Sequence, residues 1–224
     1  MKKFFMVLVA LFFMVPANAY IIDNTKEGKT EALIGEIGYK ILNSNRIPYR
    51  VAFMTKKCKE PNAFSTYRAG AVYVCDSLVK YSQDENEVAA VLAHEISHAV
   101  DYRQGIFRGY FTYLSVNTKR NEYKADKRGV DYMVKAGYNP LGMILLLNRI
   151  APEERYDWCS THPLASRRLA EVYEYIYLKY PQYLVQNEYK NNMIYQNFLL
   201  TSRENRQKLE ENIKNNSKRK VKYL

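Results

Sequence analysis

Two of the three histidines in this 224-residue chain stand four positions apart, at His94 and His98, with Glu95 between them. They lie in Val91-Leu92-Ala93-His94-Glu95-Ile96-Ser97-His98-Ala99-Val100, an apolar run without Gly or Pro, and this H-E-x-x-H pattern predicts a helix. One helical turn apart, the two imidazoles point the same way and can grip a single tetrahedral metal ion. Glu95 sits about 100° further round the axis, so it is poorly aimed at the same coordination direction. It is placed instead to reach a water on that metal and act as general base. The plain alternative is a pair of helical histidines facing solvent or core. That two of only three His fall within one turn weighs against it.

Two imidazoles need a further protein ligand, and a carboxylate can supply it. About 24 residues downstream, Asn121-Glu122-Tyr123-Lys124-Ala125-Asp126 opens a second predicted helix, running to about Ala136 and closed by Gly137. Glu122 and Asp126 share a face, so one can complete a His-His-Glu set and the other can orient an imidazole from behind. Out of context, two such acids would simply be a solvated helix face. The third histidine, His162, lies in the loop Trp158-Cys159-Ser160-Thr161-His162-Pro163, ahead of a helix carrying Arg167 and Arg168. His162 can hydrogen-bond a transition-state oxyanion or reach the metal when no substrate is present; the alternative is a surface loop histidine.

The elements that must position these groups are short. Residues 25–44 read as an amphipathic helix with Leu33, Ile34, Ile37, Ile41 and Leu42 at helical spacing, stopped by Asn43-Ser44-Asn45. Tyr49 to Thr55 and Ala71 to Val74 read as strands, with Lys56 to Gly70 as a polar connection. Two or three short strands against helices predict a small sheet leading into the metal helix. That helix is expected to begin near Asp84, capped by Ser82 or Asp84, and to end by Gly105. Ala71, Val72, Tyr73 and Val74 are a candidate edge on which a peptide could add as a strand, an ordinary core strand being the alternative. Asn139-Pro140 starts a third helix through Ile150, whose Met143, Ile144, Leu146 and Leu147 predict core. The fold class expected is α+β: mostly helical, with a small β-sheet beside the helix that carries the histidines.

The composition, 47% hydrophobic at this length, supports one domain with a real core and a terminal extension. Residues 1–19 read as a signal peptide: Lys2 and Lys3, then apolar Phe4 to Val15, then Ala17-Asn18-Ala19 with cleavage before Tyr20. The apolar stretch is well short of the ~20 residues of a membrane-spanning helix, so export to the periplasm is expected, or secretion if the source lacks an outer membrane. Without Lys2 and Lys3 the net charge of +11 falls to about +9. No nucleic-acid motif accompanies it, so a nucleic-acid partner is not expected. Residues 20–180 are read as the catalytic domain. Residues 181–224 hold nine Lys/Arg against four Glu and read as a basic helical extension with a frayed tail that can touch anionic membrane. Of three cysteines, Cys58 and Cys75 flank the strand runs and are a disulfide candidate, while a Cys159 thiolate can compete for the metal and keep the site latent.

Taken together, H-E-I-S-H, then N-E-Y-K-A-D, then T-H-P with Arg168 six residues on, resemble the gluzincin metallopeptidases of the HtpX and CAAX-prenyl-endopeptidase type. The likeness covers roughly residues 30–180 and, given the leader, points to the soluble periplasmic branch. It implies a zincin-like fold and one zinc ion held by His94, His98 and Glu122, with Glu95 as base and Asp126 supporting a ligand. His162 and Arg168 would line the site as catalytic residues, with His162, together with Arg168, stabilising the oxyanion. Asn62-Ala63-Phe64 is similar to the family's segment before the substrate-binding edge, but Tyr67-Arg68-Ala69-Gly70 stands where that family has a Pro-Gly-Gly-like turn. The resemblance further implies polypeptide substrates, a role in protein quality control and contact with outer-membrane assembly machinery. A polypeptide-binding assembly factor with little proteolysis is the alternative.

Overall fold

The computed structural model describes residues 26–66, 70–82, 84–103, 118–150, 165–217 and 219–223. The predicted leader, His162 and Cys159 lie outside these residues.

The first helix, α1 (Lys26–Ser44), precedes three strands, β1 (Ala52–Lys56), β2 (Ala63–Ser65) and β3 (Ala71–Cys75). Helix α2 (Asp76–Tyr81) follows directly, then α3 (Glu85–Arg103) with the histidines. Next come α4 (Thr118–Lys135), α5 (Leu141–Ile150) and α6 (Ala165–Lys179). A last group consists of α7 (Gln182–Val185), α8 (Met193–Thr201) and α9 (Arg203–Lys214). The fold is α+β, mostly helical with a small three-stranded sheet, as the patterning implies.

Helix α3 is buried on nearly every side, as befits a helix at the centre of a core rather than on its surface. It packs against α1, α4, α5 and the sheet, and Leu92, Ala93 and Ile96 have no exposed surface. A fully buried Leu or Ile contributes roughly 1.5–3 kcal/mol of burial, so this helix is held far more by packing than by propensity. Its start is fastened by polar groups. Asp84 Oδ1 accepts the Glu87 N–H at 3.0 Å, an N-cap as anticipated. The Tyr189 hydroxyl donates to Asp84 Oδ2 at 2.7 Å and accepts from Asn86 Nδ2 at 2.7 Å. Helix α4 ends as its sequence requires: Gly137 takes φ +78°, open to Gly at no steric cost, and Tyr138 N–H reaches back to Met133 O at 2.9 Å.

The strand order is β1-β3-β2, with β1 parallel and β2 antiparallel to β3. This corrects the candidate peptide-binding edge. Ala71, Val72, Tyr73 and Val74 form the middle strand, with Val72 facing Phe53 on one side and Ser65 on the other. Backbone groups that already pair on both sides cannot receive a further strand. The third strand lies in the stretch expected to be a connection; at three residues it is too short for an alternation to show. Cys58 and Cys75 form the disulfide. It closes a loop containing β2, a constraint worth about 3 kcal/mol in the chain-entropy picture for a loop of this size.

Residues beyond 180 differ from a peripheral helix with a frayed end. Tyr189, Tyr195, Phe198 and Leu209 are buried, and Asn148 Nδ2 donates to Ile194 O at 3.0 Å. Lys and Arg dominate the count there, but apolar residues at helical spacing decide which face turns inward.

Candidate metal centre

His94 and His98, one turn apart on the buried face of α3, bring their Nε2 atoms to 3.1 Å. Helix α4 lies against this turn and projects Glu122 between the rings. Its Oε2 lies 3.3 Å from His94 Nε2 and its Oε1 3.2 Å from His98 Nε2. These three residues offer ligand atoms close enough together to hold one metal ion. Ligands about 2.0–2.1 Å from a tetrahedral zinc stand about 3.3 Å from one another, so the spacing suits such an ion. The donor set, two imidazoles and a carboxylate with a fourth direction left for water or substrate, is also that of a catalytic rather than a closed structural site.

Behind the ligands is a second layer. Asp126, one turn after Glu122 on α4, places Oδ1 2.9 Å from His94 Nδ1, beside the ring nitrogen that faces away from the centre. Arg168 of α6 forks onto the same carboxylate, Nε to Oδ2 at 2.8 Å and Nη2 to Oδ1 at 2.7 Å. Its Nη1 stands 3.5 Å from Glu122 Oε2. Arg168 thus stands beside the ligand set. The guanidinium is buried and its Nε and Nη2 are taken up by Asp126, so it supports the ligands from behind. The chain of contacts Arg168–Asp126–His94 is continuous.

The electrostatics ask for positive charge. Burial pushes the His94 imidazole down, but Asp126 and Glu122 outweigh it and raise it to about 10. For Asp126, burial opposes the charge, yet Arg168 and His94 hold its carboxyl down at about 2. Arg168 loses by burial and is raised by Asp126, Glu122 and Glu95. In the metal-free chain a proton on His94 meets the demand that a cation at the ligand atoms would meet. Glu95 is buried on the same helix, close enough to contribute to the field at Arg168.

One positioning feature escaped the sequence reading. Gly129 is buried one turn beyond Asp126, and a Cβ there would lie 2.9 Å from Met143 Cε and 3.3 Å from the His94 nitrogen. Glu122, Asp126 and Gly129 fall on one face of α4, so the missing side chain lets that face approach α3 beside the histidine. A glycine in register with two acids was the available signal. His162 lies outside the described residues.

A family model described as peptidase family M48 matches residues 28–103 and 104–176. The beta-barrel assembly-enhancing protease of Yersinia pestis is 27% identical, covering 58% of this chain and 35% of its own length. That of Escherichia coli (strain K12) is 26% identical over 62% of this chain and 37% of its own. A putative beta-barrel assembly-enhancing protease of Vibrio cholerae is 24% identical over 63% and 38%. The chain therefore spans less than two fifths of the length of these relatives. Among the described residues, no helix is long and apolar enough to cross a membrane. The matched segments contain all the ligand candidates and both supporting residues, and they make up more than half of the sequence. The chain belongs to peptidase family M48.

Proposed function

We propose that this chain is a zinc-dependent endopeptidase acting on exported polypeptides. The observation that carries the reading is the convergence of His94 Nε2, His98 Nε2 and Glu122 at 3.1–3.3 Å, with Asp126 and Arg168 stacked behind. His94, His98 and Glu122 would hold the ion. When bound, zinc supplies a Lewis acid for the scissile carbonyl and acidifies the attacking water. Glu95 accepts a proton from that water and returns it to the departing amine nitrogen. Asp126 keeps His94 Nε2 aimed at the centre, and Arg168 keeps Asp126 charged and oriented. His162 is the candidate donor to the developing oxyanion, a contribution of about 3 kcal/mol where such donors have been removed.

Strand β2 is the sheet edge for an extended substrate: β3 is enclosed, and among the described residues β2 pairs on one side only and, of the two outer strands, is the one that packs against α3. The leader pattern supports export to the periplasm. Relatives named as beta-barrel assembly-enhancing proteases support a role in handling envelope proteins, with outer-membrane assembly machinery as the proposed partner. Metal analysis of the purified chain with and without His94→Ala tests the centre: about one zinc per chain, lost in the variant, is expected. Absence of zinc from the parent chain would overturn the reading. A cellular role that survives Glu95→Gln would move the function to polypeptide binding.

A further inference from the structure

The family match ends at residue 176, yet a later segment returns to the helix that carries Arg168. Lys220 Nζ lies 2.8 Å from Glu171 Oε1, and the Tyr223 hydroxyl donates to Glu174 Oε2 at 2.6 Å. Glu171 and Glu174 are three apart, so these contacts fall on one face of α6. The segment is fixed at its start as well: Arg219 N–H donates to Ser217 Oγ at 3.2 Å, and its carbonyl accepts from Asn212 Nδ2 of α9 at 3.2 Å. The Tyr223 ring helps line a narrow crevice with Tyr173, Phe198 and Leu209. Apolar contact and two charged contacts hold the same five residues down.

Glu171 is where this segment meets the metal centre. Its carboxylate is nine-tenths buried and is bound by Lys127 of α4 as well as by Lys220. Lys127 follows Asp126, and Glu171 lies one turn beyond Arg168. Helices α4 and α6 are thus joined by two bridges side by side, Asp126–Arg168 and Lys127–Glu171. A buried carboxylate needs its cations, because each one removed leaves charge uncompensated in a poorly solvated place. Lys220 itself is mostly exposed, so its loss would leave Glu171 with Lys127 and loosen α6 modestly at the turn next to Arg168.

We propose that residues 219–223 form a strap that holds α6 against α4 and thereby sets how firmly Arg168 grips Asp126 behind His94. The link to metal binding rests on the zinc-site reading above. Lys220 and Tyr223 are positioning residues, acting on the centre only through Glu171, Glu174 and Arg168.

The test uses the full chain, the double variant Lys220→Ala/Tyr223→Phe and the conservative Lys220→Arg. Two readouts are needed: amide hydrogen exchange of the metal-free proteins, and Co(II) affinity by competition titration. The strap predicts faster exchange in α6 and the adjoining part of α4, with α1 unchanged, and Co(II) affinity lower by about three- to tenfold, below the effect of removing a direct partner of a ligand. Lys220→Arg should restore both. Unchanged exchange would overturn the strap. Faster exchange with unchanged Co(II) affinity would overturn its link to the centre, as a purely structural contact predicts. A parent chain that binds no Co(II) would instead overturn the metal-site reading and the link with it, while the exchange result still decides the strap.

Discussion

Helix α3 carries buried charge in two places, and they are built differently. Near its start, Glu87 is wholly inaccessible, and Arg149 of α5 meets it with Nε to Oε2 at 2.9 Å and Nη2 to Oε1 at 3.0 Å. Here a guanidinium engages both oxygens of the carboxylate in a fork. Two turns later, Glu122 and Asp126 share one guanidinium and two imidazoles, with acceptor atoms converging on one point. There the ligand atoms of three residues face one another at the spacing a cation would take. The first arrangement joins helices; the second is able to bind something. Burial alone does not separate the two, and neither does the presence of an acid on α3. The balance of donors and acceptors does.

Five substitutions or conditions sharpen this contrast. Glu95→Gln should leave metal content unchanged and lower peptide turnover on the order of 10²–10⁴-fold, the range for a general acid–base group; metal analysis and turnover on a casein-type substrate check it. Glu87→Gln should instead lower stability and spare the centre. Breaking a buried pair costs about 3–5 kcal/mol, read from urea unfolding, with metal affinity in the folded fraction retained. Replacing both Glu87 and Arg149 by apolar residues of similar volume should recover most of that loss. Asp126→Asn touches the site without removing a ligand, and metal affinity should fall about 10–100-fold. The smallest effect is one of pH. Burial pushes the Glu171 carboxyl up, but Lys127 and Lys220 outweigh it and hold it below the usual value of 4.5. Its stabilising contribution is therefore complete above about pH 4.5 and is lost as pH falls through the lower folded value. Glu171→Gln should flatten the acid limb of a stability–pH curve and leave the neutral region without this pH dependence.

The legible parts of the molecule share a local cause. Apolar spacing places α1 at Lys26–Ser44 against an expected 25–44, and Gly137 ends α4 where left-handed backbone is needed. The pairing of Cys58 with Cys75 follows from their position beside the strands. Strand β2 was hidden because three residues cannot display a period, and its absence made β3 look like an edge. The pairing of Arg168 with Asp126 is not legible locally, because the partner lies 42 residues away on another helix. Tyr189 gives no hint in its own neighbourhood that it reaches the cap of α3, 105 residues earlier.

From sequence alone, the chain determined that two imidazoles share one helical turn, that a glutamate sits beside them, and that a later helix shows two acids on one face. Those are consequences of a 3.6-residue repeat, which any short stretch expresses by itself. That the two faces meet, that Gly129 lets them meet closely, and that Asp126 divides its charge between His94 and Arg168 emerge only from the folded arrangement. Such choices depend on packing between distant segments, where one missing Cβ or one buried counter-charge selects among arrangements that local preference leaves equal.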